Sequence, residues 1–169
     1  MKKMTFFRYL CYSLEIIILF VLGTTPDFLS QISGSKACLL LPLALAIAVF
    51  EPELPAMFFG LSCGVLTDIG FSNSIGTFAI GLTIVCFIIG FCANNFVTAT
   101  FLNVMLTSAV VITALLSIHF LFSYVIKGYD YAGIYYVNHY ISRIVQSVLC
   151  TIPLYFMNRF VHSTLNEDI

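Results

Sequence analysis

The sequence predicts an all-α integral membrane protein of about six transmembrane helices. Hydrophobic residues make up 60% of the 169-residue chain and charged residues 9%, and mean hydropathy is +1.03, a balance that belongs in lipid rather than water. The apolar residues fall in runs of helical span length, separated by proline, glycine, asparagine and charged residues. Backbone at membrane depth has to satisfy its own hydrogen bonds, which a helix does. These runs and their turns take up nearly the whole length, so a single transmembrane domain is expected over residues 1–169.

The first span is expected over residues 6–24. Lys2, Lys3 and Arg8 give its start the look of a signal peptide, but no small-residue cleavage site follows at Gly23-Thr24-Thr25-Pro26, so it reads as a retained span. Pro26 and Asp27 stop it. A polar link from Ser30 to Lys36 leads to the second run, 37–51. Its apolar part, Ala37 to Phe50, provides about 21 Å of helix, short of a hydrocarbon core of about 30 Å. Either flanking residues complete that crossing or the segment does not span.

Glu51-Pro52-Glu53-Leu54-Pro55 then forces a turn, because two prolines and two charges keep neighbouring apolar runs from fusing. A tight helical hairpin with the third span, 54–70, is the expected result. Ser72-Asn73-Ser74 separates that span from the fourth, 75–93, which ends before Asn94-Asn95. The fifth is expected over 101–126 and the sixth over 140–161. The loop between them, Lys127 to His139, is the longest, and with Tyr140 it carries Tyr129, Tyr131, Tyr135 and Tyr136. Amphipathic rings at that density are expected at headgroup level, with a binding surface as the alternative. Six spans put both termini on one side, where Lys2, Lys3, Arg8 and Arg159 oppose Lys36 and Lys127, with Arg143 near the interface of the last span. That slight bias favours cytoplasmic termini in a plasma membrane.

The chemistry inventory is thin. Seven basic and eight acidic residues give a net charge of −1 with no basic run, which argues against nucleic acid as a partner. The six cysteines, at 11, 38, 63, 86, 92 and 150, sit in or beside apolar segments without a CxxC pair and read as small core hydrophobes. Ser13, Ser62, Ser108 and Ser117 lack a nucleophile signature, and no HExxH, GxSxG or glycine-rich phosphate loop occurs. No catalytic residue, cofactor or metal is assigned, and the chain reads as a non-enzyme with no small-molecule substrate. Two intramembrane polar residues call for contacts. Glu15, in the first span, either pairs with a neighbouring helix, reaches a local water defect, or stays protonated. His119, in the fifth, reads as a hydrogen-bonded bundle histidine, since no His, Cys or carboxylate stands at metal-ligand spacing on its helix.

The stretch Pro55 to Gly76 carries the strongest pattern. Ala56, Gly60, Gly64 and Asp68 recur every four residues, which keeps them on one slowly drifting helix face. Gly60 and Gly64 form a GxxxG spacing that admits a second helix at close range, either within the chain or from a partner. Asp68 precedes the break ending at Gly76, so its carboxylate is expected either to cap the fourth helix or to bond a partner. Gly76 suits a tight helix start.

These positions, Gly60, Gly64, Asp68, Ser72, Asn73, Ser74, Ile75 and Gly76, resemble the pattern of MreD, the membrane subunit of the bacterial rod-shape system. The length, Pro26 closing the first span, and a last span with Pro153 followed by Arg159 extend the likeness. The resemblance implies a non-catalytic scaffold that works with MreC, the actin-like MreB and the cell-wall synthases of sidewall elongation. It also implies a fold similar to the substrate-binding subunits of energy-coupling-factor vitamin transporters. The C-terminal VHSTLNEDI is less basic than in better-charged relatives, which weakens the case for electrostatic docking through the tail. The competing reading is a transporter subunit for a vitamin-like molecule, with Glu15, Asn103, His119 and Gln146 supplying a polar pocket.

Overall fold

The structure, a computed structural model, describes residues 2–25, 38–71, 76–95, 100–122 and 136–164. Among them are six α-helices and no strand: α1 Lys2–Thr24, α2 Leu40–Phe50, α3 Glu53–Phe71, α4 Thr77–Asn95, α5 Phe101–Phe120 and α6 Ile141–Thr164. A π-helical turn, Tyr136–Tyr140, leads directly into α6. The expected loop residues Ser72 to Ile75, Tyr129, Tyr131 and Tyr135, the end of the fifth span beyond residue 122, and Pro26, Lys36 and Lys127 lie outside the described residues.

Contacts fix the directions of the helices. Tyr9 on α1 packs edge-on against Phe59 on α3, and Phe20 and Thr24 approach Gly70, so α1 and α3 are parallel. Glu15 meets Asn158, Gly81 of α4 faces Leu115 of α5, and His119 of α5 meets Tyr140 just before α6. Helices α1, α3 and α5 therefore run one way and α2, α4 and α6 the other, which brings both ends of the described chain to the same end of the bundle.

α2 is the shortest helix, with 11 residues, or about 16 Å of rise, and it begins later than the expected boundary at 37. Pro42 is tolerated because the first-turn N–H groups have no helical partner to lose. Glu51 ends the helix in an extended conformation (φ −111°, ψ 149°), as its position before Pro52 requires. Every residue from Leu40 to Ala48 is buried, and α2 touches all five other helices. A helix that is apolar all round belongs at the centre of a bundle, and LLPLALAIA is apolar all round.

The outer helices are arranged inside out. Phe6, Ile69, Ile80, Leu102, Leu106 and Phe160 are among many large apolar side chains left exposed, while Glu15, Glu51, Asp68, His119, Gln146 and Asn158 are buried. Water would penalise such a surface and lipid would not. Among the described residues, three helical segments, Thr5–Thr24, Phe101–Phe120 and Ile141–Thr164, are long and apolar enough to cross a membrane.

Candidate functional site

The glycine ladder of α3 lies against α4. A Cβ added at Gly64 would come within 2.5 Å of Ala79 Cα and 2.7 Å of the Phe78 carbonyl oxygen, and one at Gly60 within 2.8 Å of Cys86 Cβ. From the other side, Gly90 of α4 leaves room for Glu53 and Ala56, at 3.0 and 3.1 Å from its own would-be Cβ. Ala56 with Gly90, Gly60 with Cys86 and Gly64 with Ala79 thus form an antiparallel small-residue seam on which the two backbones nearly touch. Gly90 and Cys86, the α4 side of this seam, carry no recognisable ladder in the sequence.

Asp68 closes the seam. Its Oδ2 accepts hydrogen bonds from the backbone N–H groups of Gly76 at 2.9 Å and Ala79 at 3.0 Å, and its Oδ1 accepts one from Phe78 at 3.1 Å. The carboxylate therefore caps α4 from the neighbouring helix, where the first-turn donors and the helix dipole both favour negative charge. Gly76 turns the chain into that cap with φ +103°, a conformation that costs other residues about 1–2 kcal/mol.

Phe78 carries the junction further. Its ring stacks on His119, with centroids 4.8 Å apart, and His119 Nδ1 lies 3.1 Å from the Tyr140 hydroxyl. Tyr140 is buried and stacks on Tyr136, whose hydroxyl pairs with Ser117 Oγ at 2.9 Å. These two tyrosines tie α5 to the start of α6. The π turn makes this possible by placing the two rings in a near-parallel stack.

At the opposite end, Arg8 and Glu51 form a side-on pair, with Nε to Oε1 at 2.6 Å and Nη2 to Oε2 at 3.0 Å. The Glu51 side chain is fully buried, and the phenols of Tyr9 and Tyr12 face the same carboxylate. A cleft of about 280 Å³ opens beside the pair, between Phe50, Ala93 and His162 at the ends of α2, α4 and α6. The sequence marked Glu51 only as a turn former. Its pairing with Arg8, 43 residues earlier, has no local signal.

Glu15 accepts a hydrogen bond from Asn158 Nδ2 at 3.2 Å, so it is held by the last helix. Asn158 is fully buried and was not singled out by its sequence position. Three of the four residues of the transporter reading can be placed by their helices and bonds. Asn103 and His119 lie on α5 about 24 Å apart along the axis, and Glu15 and His119 have separate partners. Among the described residues, no group of three or more His, Cys, Asp or Glu side chains is placed to hold a metal ion. The six cysteines are free thiols, with Cys38, Cys63 and Cys86 buried.

No family model, curated protein or solved structure matches the chain.

Proposed function

We propose that this chain is a six-span, non-catalytic scaffold of the bacterial cell-elongation machinery, similar to MreD. It would sit in the plasma membrane with cytoplasmic termini and organise lateral peptidoglycan synthesis with MreC, MreB and the cell-wall synthases. The observation that carries the reading is the use made of Asp68. The one carboxylate in the family-like stretch accepts three hydrogen bonds from the start of α4, a use that supports reading Gly60, Gly64, Asp68 and Gly76 as the frame of a helical hairpin.

The six-span topology draws support from the alternating helix directions and from the enclosure of α2. A central helix shielded by five neighbours need not match the bilayer thickness itself, so its short length is compatible with a crossing bundle. Arg8, Arg159 and His162 cluster at the end that holds both termini, in keeping with the positive-inside bias. With the ladder occupied by α4, the surface left for MreC is the outer apolar face of the bundle and its loops.

The test is co-expression with MreC and co-purification from detergent, together with the gene neighbourhood. Stable co-purification and adjacent genes for MreB and MreC are expected. A chain that purifies alone and carries a small molecule identified by mass spectrometry would instead favour the vitamin-binding reading.

A further inference from the structure

Glu15 sits on a buried face of α1 that also carries Arg8 and Tyr12, at spacings of four and three residues. It is 6% exposed, and Asn158 opposite it is 0% exposed. The Asn158 Nδ2 donates twice, to Glu15 Oε1 at 3.2 Å and to the Leu154 carbonyl at 3.0 Å, so both of its amide hydrogens are used. Its Oδ1 is buried and receives no donor.

The groups that face Glu15 offer no compensating charge. Among the described residues Asn158 of α6 is its hydrogen-bond partner, and Tyr12 of its own helix and Cys63 of α3, both without positive charge, lie close enough to feel its carboxylate. Arg8, farther along the same face, is committed to Glu51 of α2 through two nitrogens. An ionised Glu15 would be a buried charge held by one neutral donor, while Asn158 Oδ1 would stay unpaired, and both carry a free-energy cost.

We propose that Glu15 and Asn158 form a proton-binding site that latches α1 to α6. A proton taken up on Glu15 Oε2 gives a hydroxyl that donates to Asn158 Oδ1, while Asn158 Nδ2 continues to donate to Oε1. The two hydrogen bonds close an acid–amide ring, remove the net charge and satisfy the orphaned oxygen in one step. Loss of the proton opens that ring and leaves a single hydrogen bond between Glu15 and Asn158. The site needs no partner protein and is independent of the scaffold reading.

Infrared spectroscopy of the full-length protein in detergent tests it. A carboxylic-acid C=O band is expected at neutral pH, shifting in D2O, unaffected by exchange of Na+ for K+, and absent in Glu15→Gln. Glu15→Gln should keep the wild-type melting temperature, because its amide mimics the protonated acid. If that variant does not accumulate, Glu15→Asp keeps a carboxyl and should move the band, while Asn158→Leu should raise its frequency by removing the acceptor. A spectrum with only carboxylate bands at neutral pH, or a carboxyl band that ignores every one of these substitutions, overturns the proposal. Stabilisation by Na+ that disappears in Glu15→Gln would do the same, assigning the site to a metal cation.

Discussion

Asp68 and Phe78 join the two halves of the bundle. The Phe78 N–H donates to Asp68 Oδ1 at 3.1 Å, while the Phe78 ring stacks on His119 at 4.8 Å. One residue thus passes the position of the α3–α4 hairpin to α5, and through Tyr140 to α6. The carboxylate that caps a helix also sets where the aromatic cluster stands.

Replacing Asp68 separates capping from charge. Alanine removes acceptors from three N–H groups, those of Phe78 and Ala79 buried and that of Gly76 half-buried, and is expected to cost about 3 kcal/mol or more, given roughly 1–3 kcal/mol for each buried group left unsatisfied. Asparagine keeps one acceptor oxygen and is expected to cost about half as much, near the usual value of a lost cap. Denaturation in detergent micelles reads both. Wild-type stability in both variants, with loss of partner binding, would mean that the carboxylate serves an external contact instead.

The glycines should rank by what their missing Cβ would meet. Gly64→Ala presses on the backbone of Ala79, which cannot move without shifting α4, and should cost about 2–3 kcal/mol, the upper part of the overpacking range. Gly60→Ala meets Cys86 Cβ and Sγ at 2.8 Å and the Leu82 carbonyl oxygen at 3.0 Å; only the sulfur can rotate away, so about 2 kcal/mol is expected. Gly76→Ala meets nothing within 4 Å and should cost only its backbone conformation, about 1–2 kcal/mol. Melting temperatures of the three variants check the order. A Gly64→Ala protein as stable as wild type would remove the close seam from the account.

The order of legibility follows the range of the interactions. The four-residue ladder ending at Asp68 was readable because period and helix geometry act within one segment. Its counterpart on α4 was not, since Ala79 and Cys86 look like any core residues until the register with α3 is known. Glu51 was read through its neighbour Pro52, which does end α2, but a buried partner 43 residues away leaves no local trace. Asn158 lies 143 residues from Glu15 between Met157 and Arg159, where it looks like the polar end of a span. Tyr136 and Tyr140 fit an interfacial belt by composition, whereas their hydroxyl contacts with Ser117 and His119 depend on partners 19 and 21 residues away. The uniform apolarity of α2 was visible, whereas its central place depended on the packing of five other helices.

His119 and Tyr140 provide a smaller, separable tie. Tyr140→Phe keeps the stack with Tyr136 and removes the hydroxyl that His119 Nδ1 meets at 3.1 Å. A loss of about 1 kcal/mol is expected, the usual net value of one hydrogen bond. Tyr140→Ala, which also removes the ring from the contact with Phe120, should cost about 3 kcal/mol or more. Equal stability of the two variants would show that the hydroxyl rather than the ring holds α5 to α6.

Arg8 and Glu51 give the largest expected single-site effect. The pair meets through two close N···O contacts, one of them a hydrogen bond, with the Glu51 side chain fully buried and that of Arg8 13% exposed. Arg8→Met strands a buried carboxylate at the end of α2, and Glu51→Leu strands a guanidinium beside the cleft. Each is expected to cost about 3–5 kcal/mol, because the remaining partner keeps its desolvation penalty and loses its compensation. The double variant Arg8→Met with Glu51→Leu removes both charges and should recover most of that loss, since a buried ion pair often contributes little beyond an apolar pair of similar volume. Denaturation of the four proteins forms a double-mutant cycle, in which the double variant is expected to lose less stability than either single variant. Additive losses would mean that the two residues act separately, and that α1 is held at this end by the packing of Tyr9 and Tyr12 on Phe59 rather than by charge.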